Sequence, residues 1–177
     1  MDILKRLRTL LGMLLLSLLT ACTDTNESAE SHQTAQSSPA EQLIVYKSPK
    51  CGCCKKWIDH LEDSGFDTQY KHPKDLGAVK ERFQVAQAIR SCHTAVSKQG
   101  FVFEGHIPAR YIQQFLANPP EGAFGLAVPA MPVGSPGMEV NERFMPYQVL
   151  LLKKDGSTEV FAAVENAAQQ YEEADQP

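Results

Sequence analysis

The chain has no apolar run long enough to cross a bilayer unaided: its longest, at residues 10–19, is well short of the roughly 20 residues a spanning helix needs. Clustered positive charge is also missing. Lys and Arg number 17 against 21 Asp and Glu, a net charge of −4, so the basic surface that a phosphate backbone demands is absent and nucleic acid is not an expected partner. The sequence holds no glycine-rich loop to cradle phosphate, no paired carboxylates placed for acid–base work and no nucleophile with a dedicated base, so catalysis is not an expectation. Internal repeats are absent. Residues 23–41 contain no aromatic residue and are rich in Ser, Thr, Ala, Gln and Glu, a composition that cannot bury enough apolar surface to offset chain entropy. The stretch 22–41 therefore reads as a flexible tether, and residues 42–177 have the usual size of one domain.

What is present begins with Lys5, Arg6 and Arg8, followed by the apolar run, which together read as the charged and greasy regions of a signal peptide over residues 1–21. Leu19-Thr20-Ala21-Cys22 resembles the lipobox of bacterial lipoproteins. That resemblance implies that Cys22 is linked to diacylglycerol, becomes the new N-terminus on cleavage and is then N-acylated with a palmitate-type chain. Three acyl chains hold firmly where one binds only marginally. The alternative is an ordinary secretory signal with an incidental cysteine; the small residues Thr20 and Ala21 before Cys22 favour the lipobox. Thr23, rather than Asp, after the cysteine points to the outer membrane. Removal of the signal takes Lys5, Arg6, Arg8 and Asp2 with it and leaves the mature chain at about −6.

Leu43, Ile44, Val45 and Tyr46 form a short β-prone run ended by Ser48-Pro49, and read as a buried first strand. Trp57, Ile58 and Leu61 recur at helical spacing and predict a helix over 54–61, with Gly65 as its stop. Residues 66–71 alternate as a second strand, and 76–83 read as a second helix. Strand, helix, strand, helix implies a parallel pair. Residues 94–96 and 101–103, on either side of Lys98-Gln99-Gly100, predict a hairpin. Pro108 suits the first turn of a helix to about Ala117, where Pro119-Pro120 ends it. Asp155-Gly156 between 147–152 and 158–162 predicts a second hairpin, with a last amphipathic turn or two after Val164.

Four cysteines remain if Cys22 is lipidated: Cys51, Cys53, Cys54 and Cys92. An even number in an oxidising compartment ordinarily suggests two disulfides. Three sulfurs crowded into four residues permit at most one bridge among themselves, and so short a loop removes little entropy from the unfolded chain. Chemistry is the better reason for the cluster. Cys51 and Cys54 stand in C-x-x-C spacing at a strand-to-helix junction, where the helix N-terminus, Lys55 and Lys56 favour thiolate, the form that attacks disulfides and also binds metal. Cys53 separates the two uses. An oxidoreductase gains nothing obvious from a third thiol between its pair, whereas thiolates can bridge several Cu(I) ions, and soft sulfur ligands select that ion.

Further soft or borderline donors stand at His93 beside Cys92, at His106, and at Met131 and Met138 in a stretch too rich in Pro and Gly to be helical. Capping or a structural hydrogen bond is the plainer use of the two histidines, and apolar gap-filling that of the two methionines. His32 in the tether, His60 on the exposed side of the first helix by spacing, and His72 before a Pro turn read as structural.

Lys50-Cys51-Gly52-Cys53-Cys54-Lys55-Lys56-Trp57, Ser91-Cys92-His93-Thr94, Glu104-Gly105-His106-Ile107-Pro108-Ala109, and the stretch from Gly125 through Met131 and Met138 to Glu139 occur in one order. Taken together they resemble the CopG copper-resistance family over nearly the whole domain, from Leu43 to about Phe161. The resemblance implies an α/β, thioredoxin-like fold, a central mixed sheet with flanking helices. It implies copper held by Cys51, Cys53, Cys54 and Cys92, and a role in envelope copper tolerance beside efflux components. The long acylated tether departs from a family associated mainly with soluble periplasmic forms, and puts free diffusion to partners in doubt.

Three readings follow. The first is copper handling or sequestration on a thiolate-bridged cluster of several Cu(I) ions, with or without redox cycling. The second is a thiol-disulfide oxidoreductase using Cys51 and Cys54. The third is a structural or zinc-storage module, against which stands the expectation that adjacent Cys53 and Cys54 diverge too far to share one small tetrahedral ion. All versions of the first need the sulfur of Cys92 to converge on the other three as reduced donors.

Overall fold

The computed structural model describes residues 40–171. The expected signal segment, Cys22, His32 and all but the last two residues of the tether lie outside the described residues. No described helix is long and apolar enough to cross a membrane.

Strand β1 (Gln42–Lys47) buries Leu43, Val45 and Lys47 on alternate positions, the period-2 signature of a pleated strand. Ile44 and Tyr46 are only half-buried, so β1 is fully covered on one face rather than on both. Helix α1 (Gly52–Asp63) buries Cys54, Trp57, Ile58 and Leu61, an i, i+3, i+4, i+7 stripe. It begins two residues earlier than its apolar pattern suggests, because Cys51 caps it: Cys51 Sγ accepts from the Cys54 N–H at 3.3 Å. It ends where Gly65 takes φ +89°, letting the Phe66 N–H turn back to the Leu61 carbonyl at 3.0 Å. Strand β2 (Asp67–Lys71) then runs parallel to β1 at the sheet edge, and helix α2 (Leu76–Arg82) starts at Asp75, whose carboxylate accepts from the Ala78 N–H at 3.0 Å.

Strands β3 (His93–Ser97) and β4 (Val102–Glu104) form the expected hairpin, closed by Gly100 at φ +90°. Helix α3 (Ala109–Ala117) crosses over to β5 (Ala123–Ala127), parallel to β4, and β6 (Tyr147–Lys153) and β7 (Thr158–Val164) complete the sheet as a hairpin. A 3-10 turn at Ala168–Gln170 follows. The order is β2-β1-β3-β4-β5-β6-β7, a seven-stranded mixed sheet, in agreement with the expected α/β class. Strand β5 is the one described strand the sequence pattern does not announce. Gly125 sits in its middle because β4 passes so close that a Cβ there would lie 1.8 Å from the Val102 carbonyl oxygen, and a strand glycine erases the alternation.

Consecutive strand residues point to opposite faces, so Phe103 and Leu126 serve one core while Val102 and Ala127 serve another. The larger core packs Trp57, Ile58 and Leu61 of α1 and Ile112 and Phe115 of α3 onto the sheet; the smaller gathers Val85, Ile89 and Leu152 beyond α2. Each fully buried Leu, Ile or Phe contributes about 1.5–3 kcal/mol relative to exposure. The antiparallel β1–β3 register opposes Lys47 to His93, and Glu104 opposes Thr94 on the next strand. The end of β1, the start of β3 and the end of β4 therefore open at one end of the sheet, where α1 begins.

Candidate metal centre

Two chain segments bring sulfur to that end. The turn after β1 delivers Cys51, Cys53 and Cys54 on the first turn of α1, and the residue before β3 delivers Cys92. The four Sγ atoms lie within 4.8 Å of one another. Cys92 thus converges on the turn as the copper reading requires: its sulfur is 3.4 Å from that of Cys54, while Cys53 Sγ is 3.4 Å from Cys51 Sγ. The expected divergence of Cys53 and Cys54 is not seen. Cα–Cβ bonds tilt towards a helix N-terminus, so sulfurs on a first turn lean together at the helix end.

The oxidation state differs from the four reduced donors expected. Cys51 and Cys54 form a disulfide, and Cys53 and Cys92 are free. C-x-x-C spacing across one helical turn brings the pair together, with Cα atoms 5.4 Å apart. Loading metal on all four sulfurs from this state begins with two-electron reduction. Burial, reinforced by the nearby Cys53, pushes the Cys92 thiol up to about 12, so it carries its proton until a cation displaces it.

Two imidazoles adjoin Cys92. His106 Nε2 is 3.1 Å and His93 Nδ1 3.3 Å from its sulfur, and these three donor atoms also lie within 4.8 Å of one another. The Pro136 carbonyl takes the His106 Nδ1–H at 2.8 Å, which leaves the Nε2 lone pair facing Cys92. His106 therefore makes a structural hydrogen bond through one nitrogen and offers the other as a donor. His93 is fully buried, its ring 4.2 Å from the Trp57 ring and 4.9 Å from the His106 ring, and its Nε2 has no hydrogen-bond partner among the described residues. Burial holds both imidazoles below the usual range, reinforced at His93 by the positive charge of neighbouring groups. Both are neutral near pH 7, the form that binds metal.

The Pro- and Gly-rich stretch at 131–138 walls the centre. Gly137 lies flat on the first turn of α1, at φ +84°, where a Cβ would meet the Cys53 carbonyl oxygen at 2.6 Å and the Trp57 nitrogen at 2.8 Å. Met131 is 47% exposed, so it is not gap-filling in the core, and Met138 is half-buried in a turn closed by its N–H to the Ser135 carbonyl at 2.7 Å. Their backbone shapes the wall.

One supporting group escaped sequence reasoning as a site residue. Glu104 is fully buried and accepts from Lys80 Nζ at 2.5 Å, from the Ser91 N–H at 2.5 Å and from the Thr94 hydroxyl at 2.6 Å. It ties α2, β3 and β4 to the residue just before Cys92. A lone carboxylate in an otherwise apolar strand is the signal that marks it. His60 also differs from expectation: rather than facing solvent it is half-buried and accepts from the Ala109 N–H at 2.9 Å, capping α3. His72 stays structural, 3.0 Å from the Lys47 carbonyl.

Residues 89–138 match the family described as protein of unknown function DUF411. Among solved structures, two named copper resistance protein CopG, form 1 and form 2, superpose with TM-scores of 0.67 at 42% sequence identity. They cover 71–72% of this chain and 98% of their own. No curated protein matches. At that identity and coverage, the chain belongs to the CopG family of copper-resistance proteins.

Proposed function

We propose that the chain is a copper-handling protein of the bacterial cell envelope that sequesters Cu(I) on a thiolate-bridged cluster and so contributes to copper tolerance. The observation that carries the reading is the convergence of four cysteine sulfurs, with two neutral imidazoles on Cys92, at one end of the sheet. Soft sulfur selects Cu(I), and donors drawn from a tight turn suit ions that share bridging thiolates. Cys51, Cys53, Cys54 and Cys92 are the core ligands in this reading, His93 and His106 the nitrogen donors, and Met131 and Met138 accessory thioethers at the wall. The order β2-β1-β3-β4, with C-x-x-C at the β1–α1 junction, supports a thioredoxin-like frame for this half of the sheet. Acylation at Cys22 after signal cleavage would hold the domain at the membrane, facing the periplasm and by the Thr23 rule at the outer membrane, within reach of copper-efflux components.

Anaerobic titration of the reduced full chain with Cu(I) tests the reading. More than one copper should bind per chain, and no binding at micromolar concentrations would sink it. The Cys51–Cys54 disulfide also suits a thiol-disulfide oxidoreductase. That reading leaves Cys53, His93 and His106 without work, and it expects Cys53→Ser to keep full disulfide-exchange activity.

A further inference from the structure

Copper loading of the full sulfur set requires reduction of the Cys51–Cys54 bridge, and the surroundings of the bridge indicate what delivers the electrons. Cys54 is fully buried, so an outside nucleophile cannot reach its sulfur. Cys51 lines an open cleft of 270 Å³ between the ends of β1 and β2 and the start of α1, with Lys47, Lys50, Lys55, Tyr70 and His72 around it. None of the cleft's lining residues is acidic, although the chain as a whole is negative. Lys55 is paired with Asp59. Lys47 and Lys50 have no carboxylate within salt-bridge distance among the described residues. Lys47 is the telling one. Only 5% exposed, its ammonium meets the Ser48 carbonyl at 3.0 Å and lies 6.0 Å from the centre of the Tyr70 ring. A buried cation is unfavourable unless a counter-charge meets it, and here the residue that carries it lines the same cleft as Cys51.

We infer that this cleft binds a small thiol bearing carboxylate groups, and that this thiol reduces the Cys51–Cys54 disulfide before metal loading. The carboxylates seat on Lys47 and Lys50, and the thiolate attacks Cys51 Sγ. The Cys51–Cys54 bond breaks, its electron pair passes to Cys54 Sγ, which takes up the proton that the attacking thiol gave up, and a mixed disulfide forms on Cys51. A second molecule of the thiol attacks the ligand sulfur of that mixed disulfide and releases Cys51 as thiolate. In sum, two thiols are oxidised to one disulfide and the protein disulfide is reduced to two thiols. The inference rests on the copper reading for the use of the reduced sulfurs, but not for the binding of the thiol.

The test uses the oxidised full chain and follows loss of its disulfide with glutathione (anionic), mercaptoethanol (neutral) and cysteamine (cationic), each rate constant corrected to thiolate concentration. At low ionic strength glutathione should lead mercaptoethanol by on the order of tenfold, the scale of modest electrostatic steering, with cysteamine slowest. The preference should shrink towards unity in high salt, in Lys50→Glu, whose side chain is exposed, and in Lys47→Met. Equal corrected constants overturn the inference, as does a preference that survives both substitutions. Cu(I) binding by the chemically reduced chain is read on the same preparation. A selective cleft without copper binding refutes the copper reading alone, and copper binding without selectivity refutes the cleft alone.

Discussion

Glu104 concentrates three donors on one carboxylate in a place where water cannot replace them. Removing it leaves the Lys80 ammonium buried and unpaired, and Glu104→Ala should lower unfolding stability by about 3–5 kcal/mol in a urea titration. The Ser91 N–H loses its acceptor in the same variant, so Cu(I) affinity should fall as well, although Glu104 lies outside the sulfur cluster. Cys92 makes a different prediction. Its thiol ionises at about 12 in the fold and at the ordinary 9.0 in the unfolded chain, so the native state holds the extra proton between those values. Stability of the disulfide-bonded, metal-free protein should decline as pH rises through that interval, and Cys92→Ala should decline less, as denaturant midpoints on an alkaline series will show. The residues of the cluster were legible because cysteine at close spacing has few uses. The role of Glu104 is not legible in the same way, since burial and partners belong to the packed fold and leave no mark on spacing.

The wall at 131–138 acts as a unit on the first turn of α1. Gly137→Ala would force a methyl group against two backbone atoms that cannot rotate away, in a backbone conformation that disfavours side chains. A loss of about 1–3 kcal/mol is expected in thermal unfolding. Lifting the wall also withdraws the Pro136 carbonyl from His106, so the variant should bind Cu(I) more weakly in competition with a chelator, even with every candidate ligand intact. The helices, hairpins and parallel pair were readable from periodicity and turn residues. Strand β5 was hidden by the glycine its neighbour demands, and the true start of α1 by a cap that is a cysteine rather than Ser, Thr, Asp or Asn.

The proposed attachment to the membrane belongs to the whole chain and would rest on Cys22. Cys22→Ser should move the protein from the membrane fraction to the soluble periplasmic extract on cell fractionation. Retention in the membrane would refute acylation there. The sequence could indicate that Cys92 was needed at the turn, but its arrival depends on a strand register, which no local pattern encodes. The pairing of Lys47 with His93 has one more result. A nascent or unfolded chain presents the C-x-C-C sulfurs without Cys92, so ions captured before folding would meet an incomplete set and be held weakly. Once β1 and β3 have zipped together, copper bound to the finished set favours the native state by mass action, about 2.7 kcal/mol at a free concentration one hundred times the dissociation constant. On the proposed copper reading, cargo and architecture then protect each other: a full load makes the protein harder to degrade, and an empty one leaves it easier for proteases to clear.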